Sequence, residues 1–184
     1  MKIAIGCDHG ALALKNKMVS HLEKQGHEVK DFGTYTPDSC DYPEFAAAAA
    51  KAVASGECEK GIVLCTTGIG VSISANKVDG IRCALLSDVW SAKMTRLHND
   101  TNVMALGAGV VGENLALEIA DTWLGTEFSG EARHQRRIDK VMALEKYQPS
   151  DVTEPYFFTY RLENLHPQKS CRYRPYSFDN STER

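Results

Sequence analysis

Short apolar runs alternate with helical patterns from the start of the chain to about residue 147. The five strand candidates span residues 3–7, 28–32, 61–65, 83–86 and 103–106. Helical patterns lie between and after them, over residues 14–22, 41–55, 88–97, 114–124 and 134–146. Leu14, Met18 and Leu22 recur at helical spacing, Pro43 opens the second helix, and Ser87 is the predicted cap of the third.

Strand and helix alternate in this way five times, which is typical of a parallel sheet covered by helices on both faces. With right-handed crossovers, the pattern predicts a Rossmann-like, doubly wound α/β fold with a five-stranded parallel sheet. In such sheets ligands bind at the carboxyl ends of the strands. The residues that follow each predicted strand are therefore the first candidates for a functional site.

Residues 148–184 differ from the rest of the 184-residue chain. From residue 149 onward this segment holds four of the six prolines and seven of the fifteen aromatic residues, but no glycine. No strand or helix pattern extends through it. We therefore divide the chain into a domain over residues 1–147 and an extended tail over residues 148–184. The tail could pack on its own or a neighbouring subunit, bind a partner, or be a read-through extension.

Charge and hydropathy exclude several classes of protein. Lys and Arg number 21 against 24 Asp and Glu, so the net charge of −3 argues against a strongly basic nucleic-acid-binding protein. Neither a signal peptide nor an apolar run of about 18 residues is present, so we expect a cytoplasmic protein without membrane contact. The six cysteines lack CxxC spacing and are predicted to be mostly small buried residues.

Cys65 is the exception, because the third predicted strand runs into Cys-Thr-Thr-Gly-Ile-Gly-Val-Ser over residues 65–72. A thiol, two hydroxyls and two glycines thus meet at a strand-to-helix turn. Backbone N–H groups at such a turn can receive an anion and favour a thiolate. The alternative is a buried structural cysteine before an ordinary tight turn.

Three further polar segments are candidates, each with a simpler interpretation. Asp8 and His9 follow the first strand, where Asp8 could instead only cap a helix. His98 and Asn99 precede the fifth strand, at the opposite edge of the sheet from Cys65, unless they form a solvated turn. Arg133 and Arg137 share one helix face and suit a phosphate, although such a run is often solvated. Four charged residues are predicted to lie on the surface: Asp88, Lys93, Arg96 and Glu145.

Together these segments resemble the B-type ribose-5-phosphate isomerases, within the family that includes allose-6-phosphate and galactose-6-phosphate isomerases. The resemblance is carried by residues 6–10, 41–43, 65–70, 74–77, 80–82, 98–102, 133–135 and 137. It implies isomerisation of a phosphosugar through a cis-enediolate, without a metal ion or cofactor. It also implies a homodimer or tetramer whose active site lies between subunits, which agrees with the position of His98 at the opposite edge.

The resemblance implies a role for each candidate. Cys65 would move the proton between C2 and C1, and His98 would open the furanose ring. Thr67 would stabilise the enediolate together with backbone N–H groups of Gly68, Ile69, Gly70, Val71 and Ser72. Sugar hydroxyls would be bound by Asp8 and Asn99, and the phosphate by His9, Arg133 and Arg137. Tyr42 would also line the substrate site.

Two positions depart from the family pattern. Thr66 replaces a common glycine, and Gly109 replaces a common phosphate-binding arginine, for which Arg136 is a candidate substitute. One alternative is an isomerase of a six-carbon phosphosugar. Within that alternative, the presence of Cys65 favours allose 6-phosphate over galactose 6-phosphate. The other alternative is a non-catalytic module that binds a phosphosugar or a nucleotide.

Overall fold

In the computed structural model, which describes residues 1–146, five strands form one parallel sheet in the order β2-β1-β3-β5-β4. The strands are β1 Lys2–Cys7, β2 Glu28–Asp31, β3 Lys60–Cys65, β4 Cys83–Leu85 and β5 Val103–Gly107. The α-helices of these 146 residues are α1 Leu12–Lys24, α2 Tyr42–Ala54, α3 Ile69–Ala75, α4 Val89–Asn99, α5 Glu113–Gly125 and α6 Ala132–Ala143. The predicted fold class is thereby confirmed. The predicted tail over residues 148–184 lies outside the described residues.

Helices cover both faces of the sheet because successive strand side chains point to opposite faces. On one face, Ile3 and Ile5 of β1 pack with Met18 of α1 and Trp123 of α5. On the other face, small residues of the alanine-rich α2 pack with Val63 of β3. These short side chains let α2 and α3 lie close to the sheet, and α3 carries the residues that follow Cys65.

Two local details differ from the predicted pattern. The side chain of Asp88, rather than Ser87, caps α4, since its Oδ1 accepts the Ser91 N–H at 2.7 Å. Arg96 was predicted to lie on the surface, but it is only 4% exposed, so that prediction is wrong. Its guanidinium is buried because Thr101 O, Thr126 O and the Asp100 carboxylate accept its hydrogen bonds.

Lys15 is a second buried charge, and it fixes the segment that follows β2. Its Nζ donates to Asp31 Oδ2 at 2.7 Å and to Thr34 O at 2.8 Å.

The longest helices of the described chain have 13 residues, and none of its helices combines the length and apolarity needed to cross a bilayer.

Candidate active site

The carboxyl ends of β1, β3 and β5 lie side by side in the sheet. Cys7 is in register with Leu64, and Cys65 with Gly107. The loops that follow these strands therefore start at one edge. The Asp8 N–H donates to Leu64 O at 3.2 Å, which places Asp8 beside the last residues of β3.

Cys65 is the last residue of β3 and is 5% exposed. Its Sγ accepts a hydrogen bond from the Gly68 N–H at 3.0 Å, and Thr67 Oγ1 lies 3.9 Å away. A backbone donor directed at the sulfur is a stronger partner for a thiolate than for a neutral thiol. The thiol is thus buried, as expected for a structural cysteine. It also lies in a polar turn with a backbone donor directed at the sulfur, as expected for a reactive one.

Backbone donors at the start of α3 lie next to this thiol. The first turn of a helix leaves N–H groups without intrahelical acceptors. Here the Ile69 N–H donates to Thr67 Oγ1 at 3.3 Å, and the Ser72 N–H donates to Gly68 O at 3.1 Å. With Gly68 bound to the sulfur, the first-turn N–H groups without an acceptor among residues 1–146 are those of Gly70 and Val71, and these could bind a ligand.

Tyr42, at the start of α2, packs directly on this turn. A β-carbon on Gly70 would stand 2.7 Å from the tyrosine ring, so the ring covers residue 70 closely. Tyr42 is still 40% exposed, which leaves part of its side chain free to contact a ligand.

The two departures from the family pattern lie side by side. The Gly109 N–H donates to Thr66 O at 2.8 Å, and a β-carbon on Gly109 would stand 3.3 Å from Thr66 Cγ2. Both replacements therefore change the same part of the edge, next to Cys65. Arg136 lies exposed on α6. Among the described residues, and apart from the two chain neighbours of Gly109, only Thr66 atoms lie within 4 Å of the position that a β-carbon on Gly109 would occupy.

Asp8 and His9 begin the loop after β1. Asp8 Oδ1 accepts the Gly10 N–H at 2.9 Å and so caps the short 3-10 turn His9–Ala11, which precedes α1, while its second oxygen has no hydrogen bond among residues 1–146. His9 Nδ1 accepts the Cys40 N–H at 3.3 Å. A neutral His9 therefore carries its proton on Nε2 and can donate it to an anion.

The remaining candidates form a second group, at the C-terminal end of α4 and on α6. Asn99 and Arg137 line one cavity of about 300 Å³. The ring centroids of His98 and the buried His134 lie 4.4 Å apart. Arg133 is exposed and its Nε pairs with Glu131 at 2.7 Å.

One chain does not bring these two groups together. His98 and Asn99 precede β5, which begins opposite Gly61, four residues before Cys65. At about 3.3 Å per residue, the two ends of this strand pair are roughly 13 Å apart. The phosphate-binding candidates are divided in the same way, with His9 in the first group and Arg133 and Arg137 in the second.

The sequence contained further polar residues whose place near the second group was not predicted. Arg82 donates to the Asn99 and Asp100 carbonyls at the end of α4, and Asn102 Oδ1 accepts the Arg82 N–H. Both residues belong to the segments that carried the resemblance. Their presence in these segments was the one feature of the sequence that could have marked them as candidates. The spacing of the two residues along the chain does not predict which groups they bind.

Comparison with known proteins gives consistent matches over the described domain. The pattern of the Ribose/Galactose Isomerase family matches residues 3–141. The ribose-5-phosphate isomerase B of Escherichia coli K12 is 49% identical over 145 residues, which cover 79% of this chain and 97% of that protein.

Solved structures agree in fold as well as sequence. Ribose-5-phosphate isomerase B of Clostridium thermocellum is 53% identical with a TM-score of 0.78, covering 79% of this chain and 98% of that chain. The Mycoplasma genitalium enzyme of the same name, solved with bound ribulose-5-phosphate, is 38% identical with a TM-score of 0.77. That match covers 80% of this chain and 97% of the other.

Proposed function

Since the chain belongs to the ribose/galactose isomerase family, we propose that it interconverts ribose 5-phosphate and ribulose 5-phosphate, with Cys65 as the base. It is an aldose–ketose isomerase, as its relatives are. The observation that supports the assignment of the base is the Cys65 sulfur itself, which accepts the Gly68 N–H at 3.0 Å and lies 3.9 Å from Thr67 Oγ1. A metabolic enzyme of this kind would act in the cytoplasm.

The reaction moves one proton between two carbons. The Cys65 thiolate removes the proton from C2 of the open-chain aldose, which leaves a cis-enediolate. The hydroxyl proton on O2 then passes to O1, and the Cys65 thiol returns its proton to C1 to give the ketose. Donors near the developing oxyanion supply a large share of the stabilisation, about 3–4 kcal/mol for one well-placed group. Thr67 and the N–H groups of Gly70 and Val71 would be these donors.

Binding energy from the phosphate would position the sugar for this proton transfer. His9 is one phosphate ligand, through Nε2–H. Arg133 and Arg137 would supply the positive charge from a second chain, because the sheet separates them from His9 in the same chain. Glu131 would have to share Arg133 with the phosphate, since the two side chains are paired here.

An active site shared between two chains explains why both groups of residues are incomplete alone. Apolar side chains that belong in an interface surround the first group: Tyr42, Ile69, Ile73, Leu85, Trp90 and Val110 are each at least 40% exposed. In the proposed homodimer, or tetramer built from dimers, His98, Asn99, Arg133 and Arg137 of one chain complete the Cys65 site of the other.

Mixing two strongly impaired variants tests this sharing. Cys65→Ala and His98→Asn chains, unfolded and refolded together, should recover about a quarter of wild-type activity, because half of the random dimers carry one intact site. Each variant refolded alone is the control. If the mixture stays as inactive as its components, both residues belong to the same chain's site and the shared arrangement is wrong.

Thiol alkylation provides a second test, read by activity and by mass spectrometry. Burial raises the pKa of Cys7 to about 11 and of Cys83 to about 12, and it also raises the pKa of Cys58. These three thiols therefore stay protonated and unreactive near pH 8, because the thiolate is the nucleophile. Iodoacetamide is expected to inactivate through Cys65, and inorganic phosphate should slow the loss. Labelling of Cys7 or Cys83 in step with inactivation would contradict this assignment.

The identity of the sugar is tested by comparing substrates. Wild-type protein should give a higher kcat/KM on ribose 5-phosphate than on allose 6-phosphate. The reverse order would transfer the assignment to a six-carbon sugar, with Thr66 and Tyr42 as the residues to examine. Tight phosphosugar binding without turnover of either compound would indicate a binding module.

A further inference from the structure

Several segments that carried the family resemblance have no part in the proposed chemistry, yet they meet in one hydrogen-bonded cluster. The Arg82 N–H donates to Asn102 Oδ1 at 2.8 Å, while Asn102 Nδ2 donates to Gly80 O at 2.8 Å. The Cys83 N–H donates to Asn76 Oδ1, also at 2.8 Å. This cluster fixes the backbone of Arg82 at the start of β4.

The Arg82 guanidinium reaches from this fixed backbone to the end of α4. Its Nε donates to Asn99 O at 2.9 Å, and one terminal nitrogen donates to Asp100 O at 2.7 Å. These two carbonyls lie where a helix end leaves its C=O groups without intrahelical partners. The planar Arg82 guanidinium therefore binds both residues that directly follow His98.

A second arginine holds the same turn from inside the protein. Arg96, buried on α4, donates to Asp100 Oδ1 at 2.7 Å and to Thr101 O at 2.6 Å. Asp100 adopts a left-handed conformation with φ of 44°. Its other carboxylate oxygen lies 3.4 Å from Arg82, so the carboxylate is placed between two guanidinium groups.

Two candidate substrate-contacting side chains project from this turn. Asn99 lines the cavity that it shares with Arg82 and Arg137, and His98 packs on His134 of α6. Arg82 also contacts α6, through Met142 Sδ at 3.4 Å. The orientation of His98 thus depends on the α4 end, on α6, and on the arginine that touches both.

We propose that Arg82 is a positioning residue for ring opening, which holds the end of α4 so that His98 meets the sugar in the neighbouring subunit. The inference rests on the proposed function, because it assigns Arg82 to act through His98. Arg82 would not contact the sugar or the reacting atoms. Its effect should therefore disappear when His98 is absent.

A double-mutant cycle on kcat/KM for ribose 5-phosphate tests this dependence. Arg82→Lys keeps the charge, but an ammonium cannot reproduce a planar fork to two carbonyls. We expect a loss of roughly 10- to 100-fold in the wild-type background, the size that a small misplacement of a reacting group produces. In the His98→Asn background the same change should have almost no further effect.

Other results would overturn the proposal. An equal loss in both backgrounds would mean a general structural role, and no loss in the wild-type background would mean no role. If Arg82→Lys does not fold, as judged by thermal unfolding, Asp100→Asn weakens the same clamp with little change in volume and enters the same cycle.

The proposed function is judged separately from this cycle. The test of the proposed function is conversion of ribose 5-phosphate by the wild type and its loss in Cys65→Ala. The outcome of that test does not depend on the result for Arg82→Lys. Full activity of His98→Asn would remove the residue through which Arg82 acts, and would overturn the Arg82 proposal while leaving the reaction itself assigned.

Discussion

Replacing Cys65 by alanine is expected to lower kcat by at least about 10²–10⁴-fold, the contribution typical of a positioned acid–base group. Alanine removes the group proposed to take the proton from C2. The Gly68 N–H loses its acceptor as well, at a cost of about 1 kcal/mol in stability. Steady-state kinetics with ribose 5-phosphate, together with thermal unfolding, measure the two effects.

Cys58→Ala is the matched control for this substitution. Cys58 is also buried, at 2% exposure, but it precedes β3 and lies at the other end of that strand from Cys65. This variant should lose some stability and retain wild-type kcat. Comparable losses of kcat in the two variants would show that any buried cysteine matters equally, and that Cys65 has no special role.

Gly68→Ala is expected to give the second large loss, of roughly 100-fold or more in kcat, because it displaces the turn that holds the thiol and its donors. Gly68 has a φ of +75°, and a β-carbon there would stand 2.5 Å from Leu85 Cδ1 and 2.8 Å from the Leu106 carbonyl carbon. Leu85 could move, but the β5 backbone cannot move cheaply.

Gly56→Ala separates this displacement from backbone strain. Gly56 has a similar φ of +78°, with nothing within 4 Å of the position that a β-carbon would occupy. Both variants carry the strain of a left-handed alanine, about 1–2 kcal/mol. Only Gly68→Ala should lose activity in the folded state. Wild-type kcat in folded Gly68→Ala protein would show that the geometry of the turn is not needed.

Four of the five strands could be predicted from the sequence because they are short, largely apolar runs, as is typical of a covered parallel sheet. The edge strand β2 is mostly charged, with the sequence Glu-Val-Lys-Asp, and only its place in the alternation of strands and helices indicated it. The bounds of α3 could not be predicted, since its seven residues make about two turns and show no clear period. The burial of Arg96 was hidden for a different reason. Its partners are two backbone carbonyls and a carboxylate that only the folded chain brings together.

The candidate site shows the same division. Residues 65–72 are contiguous, so a strand-to-turn pattern was enough to single them out, and the strand-end rule added Asp8 and His9. The contact between Tyr42 and Gly70 joins two helices and leaves no trace in spacing. Tyr42 was expected from the resemblance alone. The cluster around Arg82 depends on side-chain-to-carbonyl bonds that composition and periodicity do not encode.

The most direct test of the central claim is conversion of ribose 5-phosphate to ribulose 5-phosphate by the purified full-length chain, with a chelator present and Cys65→Ala assayed in parallel. We expect the wild type to convert the substrate despite the chelator, and the folded variant to show no conversion above background. No conversion by folded wild-type protein would contradict the proposed reaction. A fully active Cys65→Ala protein would contradict the role of Cys65 as its base.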